Sequence, residues 1–204
     1  MVKDGIYYAL AMGITAAALW WLVHPAAGIP FLGLGLFCLY FFRDPEREIP
    51  SGPVAVSPAD GKVVEIRPVE GGGRRVSIFL NVFDVHVNRC PIGGRITEVR
   101  YTPGRFQVAS LEAASTENEQ NTLVVEDGQS RVTFKQIAGL IARRIVCHKK
   151  VGDLVETGER FGLIKFGSRM DVVLGPEWEL AVAKGHRVKA GSSILARRFQ
   201  GGPR

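Results

Sequence analysis

Two uncharged apolar runs open the chain, and they restrict its architecture more than any other feature. The first covers Gly5 to Val23 and ends in the pair Trp20-Trp21; the second covers Ala26 to Phe42 and ends in Tyr40-Phe41-Phe42. His24-Pro25 separates them, and proline disfavours an unbroken helix there. Each run lies near the lower end of the roughly 17–25 residues that cross a bilayer. Aromatic residues at the ends suit the headgroup layer. No small-residue cleavage site follows the first run and a second run comes at once, which argues against a secretory leader. The expectation is a membrane anchor of two short helices over residues 1–47, with a re-entrant or interfacial hairpin as the alternative to full spanning. A buried hairpin inside a soluble core is the competing reading, disfavoured because neither run has a polar face. Lys3, Arg43 and Arg47 flank the hairpin on one side, so the positive-inside tendency puts that side in the cytoplasm and the anchor in the cell membrane.

Beyond residue 48 the texture changes. Pro50, Pro53 and Pro58 mark an extended linker. Short segments rich in Val, Ile and Phe then alternate with glycine turns, which predicts strands over 62–67, 75–83, 95–101, 122–126 and 131–138. Gly71-Gly72-Gly73 and Glu126-Asp127-Gly128-Gln129 read as hairpin tips. The polar stretch from Gln107 to Asn121 breaks the rhythm and reads as a loop, of the kind that covers a site. Near the C-terminus, Gly152-x-x-Val155-x-x-Gly158 returns 33 residues later as Gly185-x-x-Val188-x-x-Gly191. Each copy precedes a small apolar strand, Phe161–Ile164 and Ile194-Leu195. The predicted fold for 48–204 is mainly β, a barrel-like or flattened sandwich with a repeat like that of biotinyl and lipoyl carrier domains.

The net charge of +6 fits either nucleic acid or an anionic membrane surface. The basic residues form no nucleic-acid motif, so the anionic lipid surface is the expected partner. Three scattered cysteines, Cys38, Cys90 and Cys147, suggest neither a disulfide framework nor a metal site. No metal ligand set is expected, and a reducing environment suits the soluble part. A carrier function would need a lysine at an exposed hairpin tip. Lys165, in Ile-Lys-Phe-Gly-Ser, does not fit that setting, though a membrane-tethered, non-enzymatic barrel stands as the rival reading.

Four segments carry a sharper signal: Phe41-Phe42-Arg43-Asp44-Pro45, Ser57-Pro58-Ala59-Asp60-Gly61, Phe83-Asp84-Val85-His86-Val87-Asn88-Arg89, and Phe166-Gly167-Ser168-Arg169. Taken singly, each is an ordinary turn or strand. In this order and spacing they resemble the phosphatidylserine decarboxylase family in its short form. That resemblance implies a catalytic domain over 48–204 that cleaves itself between Gly167 and Ser168 and converts Ser168 into a covalent pyruvoyl group. The pyruvoyl then forms a Schiff base with the amine of phosphatidylserine, serves as electron sink for decarboxylation, and yields phosphatidylethanolamine. A phosphoserine-headed archaeal ether lipid, archaetidylserine, is the alternative substrate. The resemblance assigns Asp60 and His86 to activating Ser168 and to proton transfer. Arg89 stands where longer members carry a second histidine; it cannot act as a base, and a bidentate contact to the lipid phosphate or carboxylate is its expected role. The products would be residues 1–167 and 168–204, held together as a heterodimer and open to a higher oligomer. His24, His148 and His186 fall outside the expected site.

Overall fold

The structure is a computed structural model and describes residues 2–105, 117–139, 144–165 and 167–199. Its contacts divide the chain into two units, Met1–Glu46 and Arg47–Arg204.

The first unit is a helical hairpin of α1 (Lys3–Leu22) and α2 (Pro25–Phe41). Pro25 occupies the first turn of α2, where its missing N–H costs nothing, and His24 caps that turn by accepting from Ala26 N at 3.2 Å. The helices approach closely because small residues line the seam. A side chain at Gly28 would sit 2.6 Å from the Ala16 carbonyl oxygen, and one at Gly35 would sit 3.4 Å from that of Ala9. Small residues serve the same purpose between helices packed in lipid. Leu10, Ile14, Trp21, Leu22, Ile29, Leu32 and Leu36 are instead exposed. Helix α1 is long and apolar enough to cross a membrane, whereas α2 is shorter, at 17 residues.

The second unit is mainly β. Among its described residues are fourteen strands: β1 (Val54–Val56), β2 (Gly61–Pro68), β3 (Arg74–Leu80), β4 (Val87–Arg89), β5 (Gly94–Thr102), β6 (Gln120–Glu126), β7 (Arg131–Ile137), β8 (Ile145–Cys147), β9 (Leu154–Val155), β10 (Arg160–Ile164), β11 (Ser168–Leu174), β12 (Trp178–Leu180), β13 (Arg187–Val188) and β14 (Ile194–Arg198). Eight form one curled, half-barrel sheet in the order β13-β2-β3-β11-β7-β6-β5-β9. Two three-stranded sheets, β1-β14-β12 and β4-β10-β8, complete the unit. The inner faces enclose Val76, Ile78, Leu80, Leu123, Val125, Val132, Phe134, Phe161, Met170 and Val172, with the Phe134 and Phe161 rings in an edge contact at 5.1 Å.

Read outward from its centre, the large sheet is the same in both directions. Strands β1, β2, β3, β11, β12, β13 and β14 form one copy of a motif; β4, β5, β6, β7, β8, β9 and β10 form the other, inserted whole between β3 and β11. The hydrogen bonds repeat: Val56 N donates to Pro91 O at 2.8 Å and Arg89 N to Pro58 O at 3.0 Å, while Gly191 N donates to Ser57 O and Gly158 N to Cys90 O, both at 2.8 Å. Both copies break register just after the glycine that opens the strand, between Val63 and Glu65 and between Ile96 and Glu98. The repeated turns at the C-terminal side match as well, with φ of +96° at Gly152 and +97° at Gly185, and +77° at both Gly158 and Gly191.

Gly61 and Gly94 are equivalent in this duplication. Their φ values are +151° and +148°, a region that side chains avoid, and a Cβ at either would collide with the carbonyl of the facing strand, at Phe79 or Glu126. Gly61→Ala and Gly94→Ala are therefore expected to destabilise the unit by similar amounts, about 2 kcal/mol or more each, as read from urea unfolding of the full chain in detergent.

Two strand expectations change. The segment predicted over 75–83 ends at Leu80, because Asn81 and Asp84 make a turn: Asp84 Oδ2 accepts from Asn81 N at 2.9 Å and Asn81 Oδ1 from Phe83 N at 2.8 Å. Such side-chain turns compete with strand pairing. The predicted loop 107–121 lies outside the described residues up to 116. Its end, Gln120 and Asn121, belongs to β6, where Gln120 pairs with Thr102 and Ile137.

Candidate active site

Ser168 is the first residue of β11, one of the sheet's two central strands, and it is fully buried. It pairs with Leu80 and occupies the β11 face that carries Met170, Val172 and Leu174 into the core. Among the described residues its Oγ has no hydrogen-bond partner. A buried hydroxyl without a partner is unusual. Gly167 before it has φ +43°, a left-handed conformation that glycine adopts cheaply.

The duplication supplies a comparison within the molecule. Ser130 occupies the equivalent position in the inserted copy, at the start of β7. There the hairpin is closed by Asp127, whose Oδ1 accepts from Ser130 N at 2.8 Å and from Ser130 Oγ at 3.2 Å, and the serine lies at the surface. At Ser168 the equivalent hairpin has been opened by 87 intervening residues between Leu80 and Ser168. A serine at this place in the motif is thus not unusual; a buried one following a left-handed glycine is.

His86 lies in the connection between β3 and β4. Since β3 pairs with β11 and β4 with β10, this connection runs beside the one carrying Gly167. Ile164 N donates to His86 O at 3.3 Å, and the ring is oriented by its Nδ1 contact to the Asp84 carbonyl at 2.9 Å. His86 is only 2% exposed, which removes the reading of a histidine facing solvent from an alternating strand.

Asp60 follows the Ser57 turn, in which Ser57 Oγ donates to Ala59 O at 2.7 Å. Its carboxylate accepts from Ala190 N at 2.8 Å and from Arg47 at 2.8 and 3.2 Å. Burial pushes the Asp60 carboxyl above its ordinary range, and nearby Asp84 adds to the effect; the Ala190 N–H and the Arg47 cation oppose it. Among the described residues no hydrogen bond joins Asp60 to His86 or Ser168. Arg89 is buried, donates to Gly158 O at 3.0 Å, and packs where a Cβ on Gly191 would meet its Cδ at 2.9 Å. It is held between the two repeated turns.

On the opposite face of β11 lies a buried ionic cluster. Arg169 Nε donates to Asp171 Oδ1 and its terminal nitrogen to Ser77 Oγ, both at 2.6 Å, and Glu65 is 3.4 Å from the same guanidinium. Burial alone would raise the Glu65 carboxyl, yet Arg67, Arg169 and Arg75 together hold it below the usual range. Three features escaped the sequence reading: this cluster, Arg47 as the partner of Asp60, and a chain of buried amides at Asn88, Gln136 and Asn121. Pairs such as Arg169 and Asp171, two residues apart on one strand face, are the available signal for the first.

Lys165 is 9% exposed at the end of β10, with its backbone N–H on Arg144 O at 3.2 Å, so it offers no accessible tip for a carrier role. Lys149, just beyond β8, pairs with Glu159. Among the described residues no group of histidine, cysteine and acidic side chains could hold a metal.

A fold built of nested β motifs around a buried serine that follows a left-handed glycine defines a class, and comparison with known proteins defines the family within it. The family description phosphatidylserine decarboxylase matches residues 34–196. A phosphatidylserine decarboxylase proenzyme of Solibacter usitatus is 65% identical over 199 residues, covering 98% of this chain and 97% of the relative. Proteins of the same name from Solidesulfovibrio magneticus and Syntrophus aciditrophicus are 46% and 45% identical, covering 97% and 96% of this chain and 96% of each relative. The chain belongs to the phosphatidylserine decarboxylase family.

Proposed function

We propose that the chain decarboxylates phosphatidylserine to phosphatidylethanolamine, after cutting itself between Gly167 and Ser168 and converting Ser168 into a pyruvoyl group. The observation that carries this reading is the buried Ser168 hydroxyl, free of hydrogen bonds among the described residues and preceded by a left-handed glycine. Family membership supports the substrate. Ser168 also fits the group's chemistry, because a pyruvoyl needs a serine with an attackable bond on its amino side and a site shielded from water.

In this reading Ser168 Oγ attacks the Gly167 carbonyl carbon, the C–N bond breaks, and the proton leaving Oγ ends on the freed nitrogen. Loss of the Ser168 α-proton then expels Gly167 as a carboxylate. The remaining enamine tautomerises, takes up water and releases ammonia. Asp60 and His86 are the groups assigned to move these protons, His86 with its ring set by the Asp84 carbonyl. The pyruvoyl would supply the electron sink for decarboxylation. His86 is the residue placed to hold and deliver the proton that the substrate's α-carbon needs, and Arg89 is assigned to the headgroup's phosphate or carboxylate. The helical hairpin holds the domain at the cell membrane, on the cytoplasmic side given Lys3 and Arg43. This placement spares the enzyme the extraction of a diacyl lipid, about 0.8 kcal/mol per CH₂.

Intact-mass measurement of the denatured full chain tests the reading. Two species are expected, residues 1–167 and residues 168–204, the smaller lighter than its serine-initiated sequence by the elements of ammonia. One uncut chain with no release of carbon dioxide from phosphatidylserine vesicles would overturn it. Replacing the vesicle lipid by a phosphoserine-headed ether lipid distinguishes the substrate backbone.

The pH dependence of self-cleavage should report Asp60. A carboxylate acting as base must be ionised, and burial raises its pKa, so the acid limb should lie above that of an ordinary aspartate, about 3.9. Arg47→Ala removes an opposing cation and is expected to move the limb further upward. Rates measured across pH for both proteins check the sign.

A further inference from the structure

At the Ser168 end of the barrel the core is polar, whereas at the equivalent opposite end it is apolar. Gln136 shares the inner face of β7 with Val132 and Phe134, and stands directly opposite Met170, two residues from Ser168 on the same face of β11. Its amide is held at both ends. Gln136 Oε1 accepts from Asn121 Nδ2 at 3.1 Å, while Gln136 Nε2 donates to Asn88 Oδ1 at 2.9 Å and to Val146 O at 3.3 Å. Gln136 and Asn88 are completely buried and Asn121 nearly so. With Oδ1 fixed by Gln136, the Asn88 amide has one orientation, and its Nδ2 is a buried donor with no hydrogen-bond partner among the described residues.

The fold does not require these amides. By the duplication Asn88 is equivalent to Ala55, each being the middle residue of its strand (β4 and β1). Gln136 is equivalent to Leu174, since Gln136 pairs with Asn121 as Leu174 pairs with Arg74. Ala55 and Leu174 are fully buried in the apolar core. One copy therefore builds the same layer from hydrocarbon, and the other fills it with a hydrogen-bonded chain ending in an unpaired N–H donor. Burying such a donor costs stability unless something arrives to accept from it. Asn88 is two residues from His86, and its strand continues the connection that runs beside Gly167-Ser168.

We propose that Asn88 Nδ2 is the donor that receives the Gly167 carbonyl oxygen as negative charge builds on it during attack by Ser168 Oγ, with Gln136 and Asn121 as the positioning residues that aim it. This rests on the self-cleavage reading above. A pre-aimed donor in a water-excluded site stabilises the tetrahedral species without reorganisation, and loss of one such donor slows acyl transfer by ~10²–10³-fold.

The test is to give this layer the residues of the other copy. Asn88→Ala combined with Gln136→Leu reproduces the Ala55 and Leu174 pair. Pulse–chase labelling of the full chain, with the uncut fraction followed over time, is expected to show self-cleavage at least ~100-fold slower, in a variant that still unfolds cooperatively in detergent. Asn88→Asp keeps the acceptor for Gln136 and, once ionised, puts a negative charge where the donor was; with rates followed to high pH, where the carboxyl is ionised, it should slow cleavage at least comparably and serves as the deciding variant if the double exchange does not fold. Wild-type cleavage rates in a folded double variant, or in Asn88→Asp, would overturn the inference while leaving Ser168 as the cleavage site. Absence of cleavage in the wild-type chain would instead remove the reading on which it depends.

Discussion

Ser168→Ala should yield one uncut chain of 22.3 kDa, with no carbonyl and no decarboxylation above background. The substitution deletes the attacking oxygen and the atoms from which the pyruvoyl would be built, so the loss is complete rather than partial. Folding should survive. The Ser168 hydroxyl has no hydrogen-bond partner among the described residues, so its removal orphans nothing. In the wild type, by contrast, the two products should separate only on denaturation. Strand β11 begins at Ser168 and pairs with β3 through seven residues and with β7 through five. Residues 168–174 thus lie in the middle of the large sheet, and on the proposed cleavage their ladders would replace the lost covalent bond. Gel filtration in detergent followed by a denaturing gel distinguishes the two states in one experiment.

Asp171→Ala is expected to produce the largest loss of stability, about 3–5 kcal/mol. Asp171 and Arg169 are both about 1% exposed, and the aspartate takes the guanidinium Nε at 2.6 Å while Arg75 lies 3.9 Å from its other oxygen. Removing the carboxylate leaves a buried cation with its main counter-charge gone. In a chain of this size that corresponds to a fall in Tm of roughly 6–20 °C. Asp171→Asn, which keeps an acceptor, should cost less. Arg67→Ala removes a half-exposed partner of Glu65 and should cost no more than about 1 kcal/mol. Comparing the three melting curves separates the buried pair from the surface one.

Much of the fold could be read from the order of residues. Apolar runs without charge gave the two helices, and glycine turns between Val- and Ile-rich segments gave β2, β5 and β7 nearly to their ends. The C-terminal repeat gave two turns that prove equivalent in φ. Its partner repeat went unread, although Pro58-x-x-Gly61-Lys-Val-x-Glu65-Ile-Arg67 and Pro91-x-x-Gly94-Arg-Ile-x-Glu98-Val-Arg100 stand at the same 33-residue spacing. Conservative exchanges disguise it, and a copy nested within another does not look like a tandem array. The ends of β3 and β6 were misjudged for a different reason. Side-chain hydrogen bonds at Asn81 and Asp84 end one strand, and the buried polar pair Gln120 and Asn121 begins the other without the apolar alternation that marks a half-buried strand. In the site, the Gly167-Ser168 step stood out only through its company. Asn88 and Gln136 are 48 residues apart and carry no local signal at all; only the comparison of the two copies marks them as unusual.

The nested arrangement also sets a timetable. Residues 87–164 form a continuous copy that can close on itself as soon as it is made. The outer copy is split, and its β3 and β11 meet only across the full length of the insert, a long loop to close. Ser168 should therefore reach its buried setting late, when the inner motif is in place and β3 and β7 flank it. A chain that severed itself earlier would release residues 168–204 before any ladder held them. If the chain cuts itself as proposed above, a cut at this final seam would make completed assembly the trigger for activation.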